Sequence, residues 1–132
     1  MKKLFDPLPE ATEDLAAKIY NAALKVHRKL GPGLLERVYE ACLFHELIKL
    51  GLSVQRQINV PIVYDGIEFE EGYRIDLLVE DTIIVELKAT ENYHPVWQAQ
   101  VLSYLKITGK RLGMIMNFNV PLLKDGVQRV II

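Results

Sequence analysis

The stretch GYRIDLLVEDTIIVELKAT, residues 72–90, sets Asp76, Glu86 and Lys88 among isoleucines, leucines and valines. Strand side chains alternate between faces, so the loop between two strands decides whether the acids meet. A three-residue loop of Glu80, Asp81 and Thr82 places Val79 opposite Ile83, Asp76 opposite Glu86 and Arg74 opposite Lys88. Arg74, Asp76, Glu86 and Lys88 then share one face, with Leu78 and Ile84 at its turn end. Ile75, Leu77, Val79, Ile83, Val85 and Leu87 form a continuous apolar face behind them. A two-residue loop pairs Asp76 with Val85 and mixes acids into the core, so the hydrophobic pattern selects the first register.

Directly opposed side chains in a sheet have Cβ atoms about 5 Å apart. Two carboxylates at that spacing repel unless a cation or a proton lies between them. Mg²⁺ is usually held by one or two carboxylates together with water and substrate phosphate. Lys88, two residues beyond Glu86 on the same face, is placed to orient or activate a water beside such an ion. Acid, acid and lysine are the parts of metal-assisted phosphodiester hydrolysis. The same side chains also suit a solvated salt-bridge ladder, worth roughly 0.2–1 kcal/mol per exposed pair.

The elements that must position these residues are legible from spacing. From Thr12 to Leu30, Leu15, Ala16, Ile19, Tyr20, Ala23, Leu24, His27 and Leu30 recur at helical steps until Gly31-Pro32-Gly33 stops them. A second helix runs from about Leu34 to Leu50 on a stripe of Leu35, Val38, Tyr39, Cys42, Leu43 and Leu47, and Gly51 ends it. Strands are predicted over about 52–64, 67–79 and 83–89, with Asp65-Gly66 as the first turn. His94 to Thr108 returns to helical spacing, with Val96, Ala99, Leu102, Ser103 and Ile107 as the expected buried face. RLGMIMNFNV and VQRVII read as two further strands, joined through Pro121 and the Lys124-Asp125-Gly126 turn. The predicted order is ααβββαββ in a single domain.

Composition bounds the function class. The chain has 132 residues, half of them hydrophobic and a quarter charged, which is a globular balance. A net charge of −1 argues against sequence-independent attraction of nucleic acid over the whole surface, so binding requires a local patch. The lone Cys42 excludes an internal disulfide and a cysteine zinc site, which points to a cytoplasmic location. MKKLFDPLPEATEDL does not read as a signal peptide, and no apolar run approaches the roughly 20 residues that span a bilayer, so no membrane role is expected.

Three motifs carry a family resemblance. GLLERVY, Gly33 to Tyr39, reads as G-x-x-E-x-x-Y and resembles the prokaryotic family named after that motif. RIDLLVEDTIIVELKA resembles the D…E-x-K core of the PD-(D/E)XK nuclease superfamily, and QVLSY, Gln100 to Tyr104, resembles the Q-x-x-x-Y motif of its RecB-like branch. The resemblance covers roughly Thr12 to Asn119. It implies a restriction-endonuclease-like α/β fold, an αβββαβ core with an extra N-terminal helix and a C-terminal strand. It also implies Mg²⁺, with Mn²⁺ able to replace it, and cleavage of nucleic acid, with DNA preferred to RNA. Asp76 and Glu86 would be metal ligands, Lys88 the catalytic lysine and Glu36 the helix glutamate that completes the metal shell. Gln100 and Tyr104 would line the site. Ile75 stands where that superfamily commonly has proline.

Each residue also has a plainer role to weigh. Glu36 suits a helix start through the helix dipole, Tyr39 suits packing, and Gln100 with Tyr104 suits an exposed polar pair. His27 is expected as a hydrogen-bonded core histidine, Trp97 as a packing residue and His94 as a helix-start or loop residue. Lys25, Arg28, Lys29 and Arg37 flank the Gly31-Pro32-Gly33 corner, as phosphate contacts or as a solvated helix end. Two other function classes are a nuclease-fold module that binds nucleic acid or a protein partner without cutting, and a homo-oligomer whose VQRVII strand pairs with a neighbour's edge.

Overall fold

Gly31 and Gly33 adopt φ of 69° and 102°, a left-handed conformation that suits glycine. They separate helix α1 (Glu10–Leu30) from α2 (Glu36–Lys49). Strands β1 (Val54–Tyr64), β2 (Ile67–Val79) and β3 (Ile83–Lys88) follow, then α3 (Val96–Thr108), β4 (Leu112–Asn117), a 3₁₀ turn (Leu123–Gly126) and β5 (Val127–Ile131). This computed structural model describes residues 6–132. The order is ααβββαββ, as the spacing predicts. From α2 to β4 it is the αβββαβ core of a restriction-endonuclease-like fold, to which α1 and β5 are added.

The five strands form one sheet in the order β1-β2-β3-β4-β5. β3 and β4 pair in parallel, joined by the α3 crossover, and every other pair is antiparallel. Alternation sends Leu77, Val79, Ile83, Val85, Leu87, Met114 and Met116 to a core shared with α1 and α2. Leu78, Ile84, Ile115 and Val130 point the other way and pack with α3. Both sheet faces are therefore covered.

That double cover corrects two expectations. The face of the β2–β3 hairpin that carries the acids is not a solvated ladder, since Glu86 is only 5% exposed. α3 buries Trp97, Val101, Tyr104 and Leu105; of the expected stripe of Val96, Ala99, Leu102, Ser103 and Ile107, Leu102 packs partly buried against that core and the other four are exposed. The sheet takes the bulky aromatic stripe, and Val96 and Ile107 remain 44% and 49% exposed. On α2, likewise, Tyr39, Leu43 and Leu47 are buried while Leu35 and Val38 face solvent.

β2 pairs with β3 through Leu77, Leu78 and Val79, so the outer part of β1 and β2 continues as a two-stranded ribbon. The register shifts within it: Val60 faces Tyr73 and Ile62 faces Phe69, leaving Glu70, Glu71 and Gly72 opposite Pro61. Such a bulge bends the ribbon. It requires glycine at position 72, because a Cβ there would collide with the Val60 carbonyl oxygen. Gly72→Ala is expected to lower the unfolding free energy by about 1–3 kcal/mol in urea denaturation. Unchanged stability would show that the bulge accepts a side chain freely.

Candidate active site

The hairpin turn sets the register of the acids. Glu80 and Asp81 adopt φ of 52° and 51°, two left-handed residues in a three-residue loop, and the Thr82 N–H donates to the Val79 carbonyl at 2.9 Å. Val79 then faces Ile83, Leu78 faces Ile84 and Leu77 faces Val85, as the hydrophobic pattern requires. One step further, Asp76 and Glu86 come together. The Asp76 N–H donates to Glu86 Oε2 at 3.3 Å, and the Leu87 N–H donates to Asp76 Oδ2 at 2.9 Å.

Alternation fails at this level on the neighbouring strand. Gln57, between the Arg56–Leu77 and Ile58–Ile75 pairs, has φ of 53° in mid-strand. Ile75, expected on the face of Leu77, instead joins the α3 core. A left-handed backbone at a non-glycine residue costs on the order of 1–3 kcal/mol and persists only where the surroundings hold it. Here the Gln57 side-chain amide donates to Glu40 Oε1 at 2.6 Å and to Asp76 Oδ1 at 3.3 Å. Glu40, one turn beyond Glu36 on α2, is 5% exposed and also accepts two bonds from Arg56, at 3.1 and 3.2 Å. The Arg56 guanidinium lies 5.1 Å over the Phe44 ring.

The start of α2 is held separately. The Tyr39 hydroxyl donates to the Gly31 carbonyl at 2.6 Å and accepts the Leu34 N–H at 3.0 Å, and its ring stacks on Phe118. The tyrosine of G-x-x-E-x-x-Y is thus bonded to Gly31, two residues before the motif's own Gly33, and to Leu34, the residue after it. The tyrosine clips the glycine corner, and the corner presents Glu36 as the first residue of the helix. Partial burial and then the negative charge of Asp76 raise Glu36 above the usual carboxylate range; Lys88 acts against them and Glu40 with them. Glu36 therefore feels the field of the strand acids although its own side chain opens to solvent.

Lys88 ends β3 on the face of Glu86, with Nζ 5.4 Å from the Trp97 ring centroid. Among the described residues no carboxylate forms an ion pair with it. The strand end is clamped by buried Asn117, whose side chain accepts the Thr90 and Asn119 N–H groups and donates to the Thr90 carbonyl. Tyr104 is buried with its ring 5.2 Å from that of Tyr73. Burial, then the charge of Glu86, keeps the Tyr104 hydroxyl protonated well above its ordinary range. Gln100 is half-buried one turn earlier on α3.

The plainer roles are settled for three residues. His27 is buried and donates from Nε2 to the Val120 carbonyl at 2.8 Å. His94 Nδ1 accepts the Val96 N–H at 3.1 Å at the start of α3, and Trp97 packs edge-on to Tyr93. Sequence reasoning missed Glu40, Arg56, Gln57 and Asn117. Glu40 carried one signal, its four-residue spacing from Glu36, whereas Gln57 and Asn117 carried none.

Among the described residues no three histidine, cysteine or acidic side chains converge as a ready-made metal cluster. Asp76 is tied to Leu87 and Gln57, and Glu40 to Arg56 and Gln57. The donor set nevertheless fits a hard divalent cation. Burial, first, and the adjoining Asp76 carboxyl, second, push Glu86 from 4.5 up to about 9, against the pull of Lys88. A cation between the two acids removes both penalties.

This geometry fixes the sign of a pH effect. Between 4.5 and about 9 the folded chain keeps a proton on Glu86 that the unfolded chain has released, so stability falls as pH rises through that window. In EDTA the melting temperature should drop from about pH 5 to about pH 9, millimolar Mg²⁺ should restore it, and Glu86→Gln should flatten the profile. A flat wild-type profile would contradict the assignment. Removing the guanidinium that faces buried Glu40, in Arg56→Ala, should cost about 1.5–3 kcal/mol by urea denaturation. A loss below about 0.5 kcal/mol would show that Glu40 does not depend on the pair.

A family model described as PD-(D/E)XK nuclease superfamily matches residues 13–130. No curated protein and no solved structure matches the chain.

Proposed function

Because the chain belongs to the PD-(D/E)XK nuclease superfamily, we propose that it hydrolyses phosphodiester bonds of nucleic acid with Mg²⁺, or Mn²⁺ in its place. The observation that carries this reading is a buried Glu86 hydrogen-bonded to the Asp76 backbone, with Lys88 beyond it on the same face. Asp76 and Glu86 are the proposed metal ligands, and Glu36, presented by α2, is proposed to complete the shell. A metal held there supplies an acidified water and neutralises charge on the phosphate.

The chain's own side chains do the positioning. Lys88 donates from Nζ to the attacking water or to a phosphate oxygen, while the Trp97 ring lies beside its ammonium. Tyr104, kept protonated by its surroundings, serves as a neutral donor, and Gln100 on the same helix lines the site with it. Gln57 holds Asp76 from the side through its amide.

Finer assignments belong to the same proposal. Membership of the G-x-x-E-x-x-Y family is proposed from Gly33, Glu36 and Tyr39, and kinship with the RecB-like branch from Gln100 and Tyr104. DNA is the proposed substrate and RNA the alternative, acted on in the cytoplasm by one nuclease-like domain. Among the described residues no helix is long and apolar enough to cross a membrane. A second reading has one observation in its favour, that among the described residues no third acid converges with Asp76 and Glu86. It is a nuclease-fold module that holds nucleic acid or a protein partner without cutting.

Purified protein with Mg²⁺ or Mn²⁺ should degrade DNA, and Glu86→Ala and Lys88→Ala should each lower the rate at least about 10²-fold. Activity that survives both substitutions would come from a contaminant and sink the assignment. Metal-dependent DNA binding without cleavage would select the second reading.

A further inference from the structure

Of the basic residues that flank the Gly31-Pro32-Gly33 corner, Lys25 is paired with Glu46. Arg28 is exposed and forms no ion pair among the described residues. It lines a cavity of about 520 Å³ enclosed by α1, the corner and residues 121–124 beyond β4. Lys124 lines the same cavity from the 3₁₀ turn, and it too is exposed and unpaired among the described residues. No acidic side chain lines the cavity among those residues. Much of the wall is apolar or aromatic, with Tyr20 and Leu24 contributed by α1 and Pro121 and Leu122 by the later segment.

Two cations with no acid beside them select an anion. An arginine fork together with a lysine point charge matches phosphate. Apolar walls add nothing for a bare ion, but they shelter a flat apolar body such as a nucleobase, which stacks on aromatic faces. The volume falls in the range of small-ligand sites, roughly 300–1,000 Å³. A phosphate joined to a base is therefore the ligand that the whole lining matches.

The cavity is built on the frame of the proposed metal site without sharing its residues. His27, in the cavity wall, donates from Nε2 to the Val120 carbonyl at 2.8 Å. The Gly31 carbonyl accepts the Tyr39 hydroxyl at 2.6 Å, and the Phe118 N–H donates to the Lys88 carbonyl at 2.9 Å. Its walls are thus tied through Tyr39 to the helix that begins at Glu36, and through Phe118 to the strand that ends at Lys88.

We propose that this cavity binds a nucleoside phosphate, with the phosphate between Arg28 and Lys124 and the base against the apolar wall. Its expected source is a nucleotide of the strand under cleavage, a step that rests on the proposed nuclease function. A free nucleotide presents the same chemistry to the cavity.

Calorimetric titration of the full chain in EDTA tests binding apart from cleavage, because no metal is present to support hydrolysis. Deoxyadenosine monophosphate should bind about tenfold or more tighter than inorganic phosphate or deoxyadenosine. Arg28→Ala and Lys124→Ala, at exposed positions outside the core, should each weaken that binding about tenfold. Leu122→Glu, at a position 57% exposed, brings an acid into the cavity and should abolish it, while Lys106→Ala on α3 should change nothing. A short single-stranded oligonucleotide that displaces the mononucleotide and weakens with the same substitutions identifies the strand as the source. Mononucleotide binding that the oligonucleotide leaves untouched keeps the site and assigns it to a free nucleotide. No binding at about 10 mM, or affinity no better than that of inorganic phosphate, overturns the proposal. Affinity that both alanine substitutions leave unchanged overturns it as well. A chain that binds the nucleotide yet cuts nothing keeps this site and loses the nuclease reading; cleavage without nucleotide binding loses only this site.

Discussion

An ionised Glu86 would sit 5% exposed beside the Asp76 carboxyl, cut off from most of the water that normally stabilises a charge. Removing a carboxylate from water while facing it with another is among the least favourable arrangements in a small fold. The rest of the site can be understood as the means of holding it. The three-residue loop of Glu80, Asp81 and Thr82 sets the register, Leu77 to Val79 and Ile83 to Val85 fasten it through the core, the Asp76 N–H donates to the Glu86 carboxylate, and the Leu87 N–H donates to the Asp76 carboxylate. A chain optimised for stability alone would place leucine at position 86. Glutamate there makes sense when the site takes up a cation.

The strain follows the same logic. Gln57 leaves the strand conformation in mid-β1 and, from that position, spans Glu40 on α2 and Asp76 on β2. The bond to Glu40 carries a charge, so it is stronger than a neutral amide bond and helps offset the backbone cost. One amide thereby couples the helix that presents Glu36 to the strand that presents Asp76. On the other side Tyr39 fixes the glycine corner, and Asn117 fixes the chain just beyond Lys88. Three separate hydrogen-bonded clamps aim at one small volume at the end of β3.

What could be read from sequence was whatever depends on local period. The β2–β3 register followed from alternation, because a two-residue loop pairs Asp76 with Val85 and mixes acids into the core. The corner at Gly31 and Gly33 followed from composition, and the motif spacing led to Glu36. Phase was harder for α3, whose apolar residues occur on more than one face; the sheet takes Trp97, Tyr104 and Leu105, a choice set by tertiary packing. Ile75 was misplaced because a left-handed residue on the adjacent strand interrupts alternation at its level. Glu40, Arg56 and Gln57 meet across sixteen or seventeen positions of chain, a separation over which local spacing is silent. The burial of Glu86 likewise depends on α3 covering a face that the hairpin alone leaves open.

The central claim is that Asp76 and Glu86 are brought together to share a divalent cation. Crystals of the protein soaked in millimolar Mn²⁺ and measured at the manganese absorption edge test it most directly. The account predicts an anomalous difference peak within coordination distance of both carboxylates, roughly 2.0–2.2 Å from the ligating oxygens of a metal of this kind. Saturating Mn²⁺ that leaves no peak there, with Glu86 Oε2 still accepting the Asp76 N–H, would contradict it.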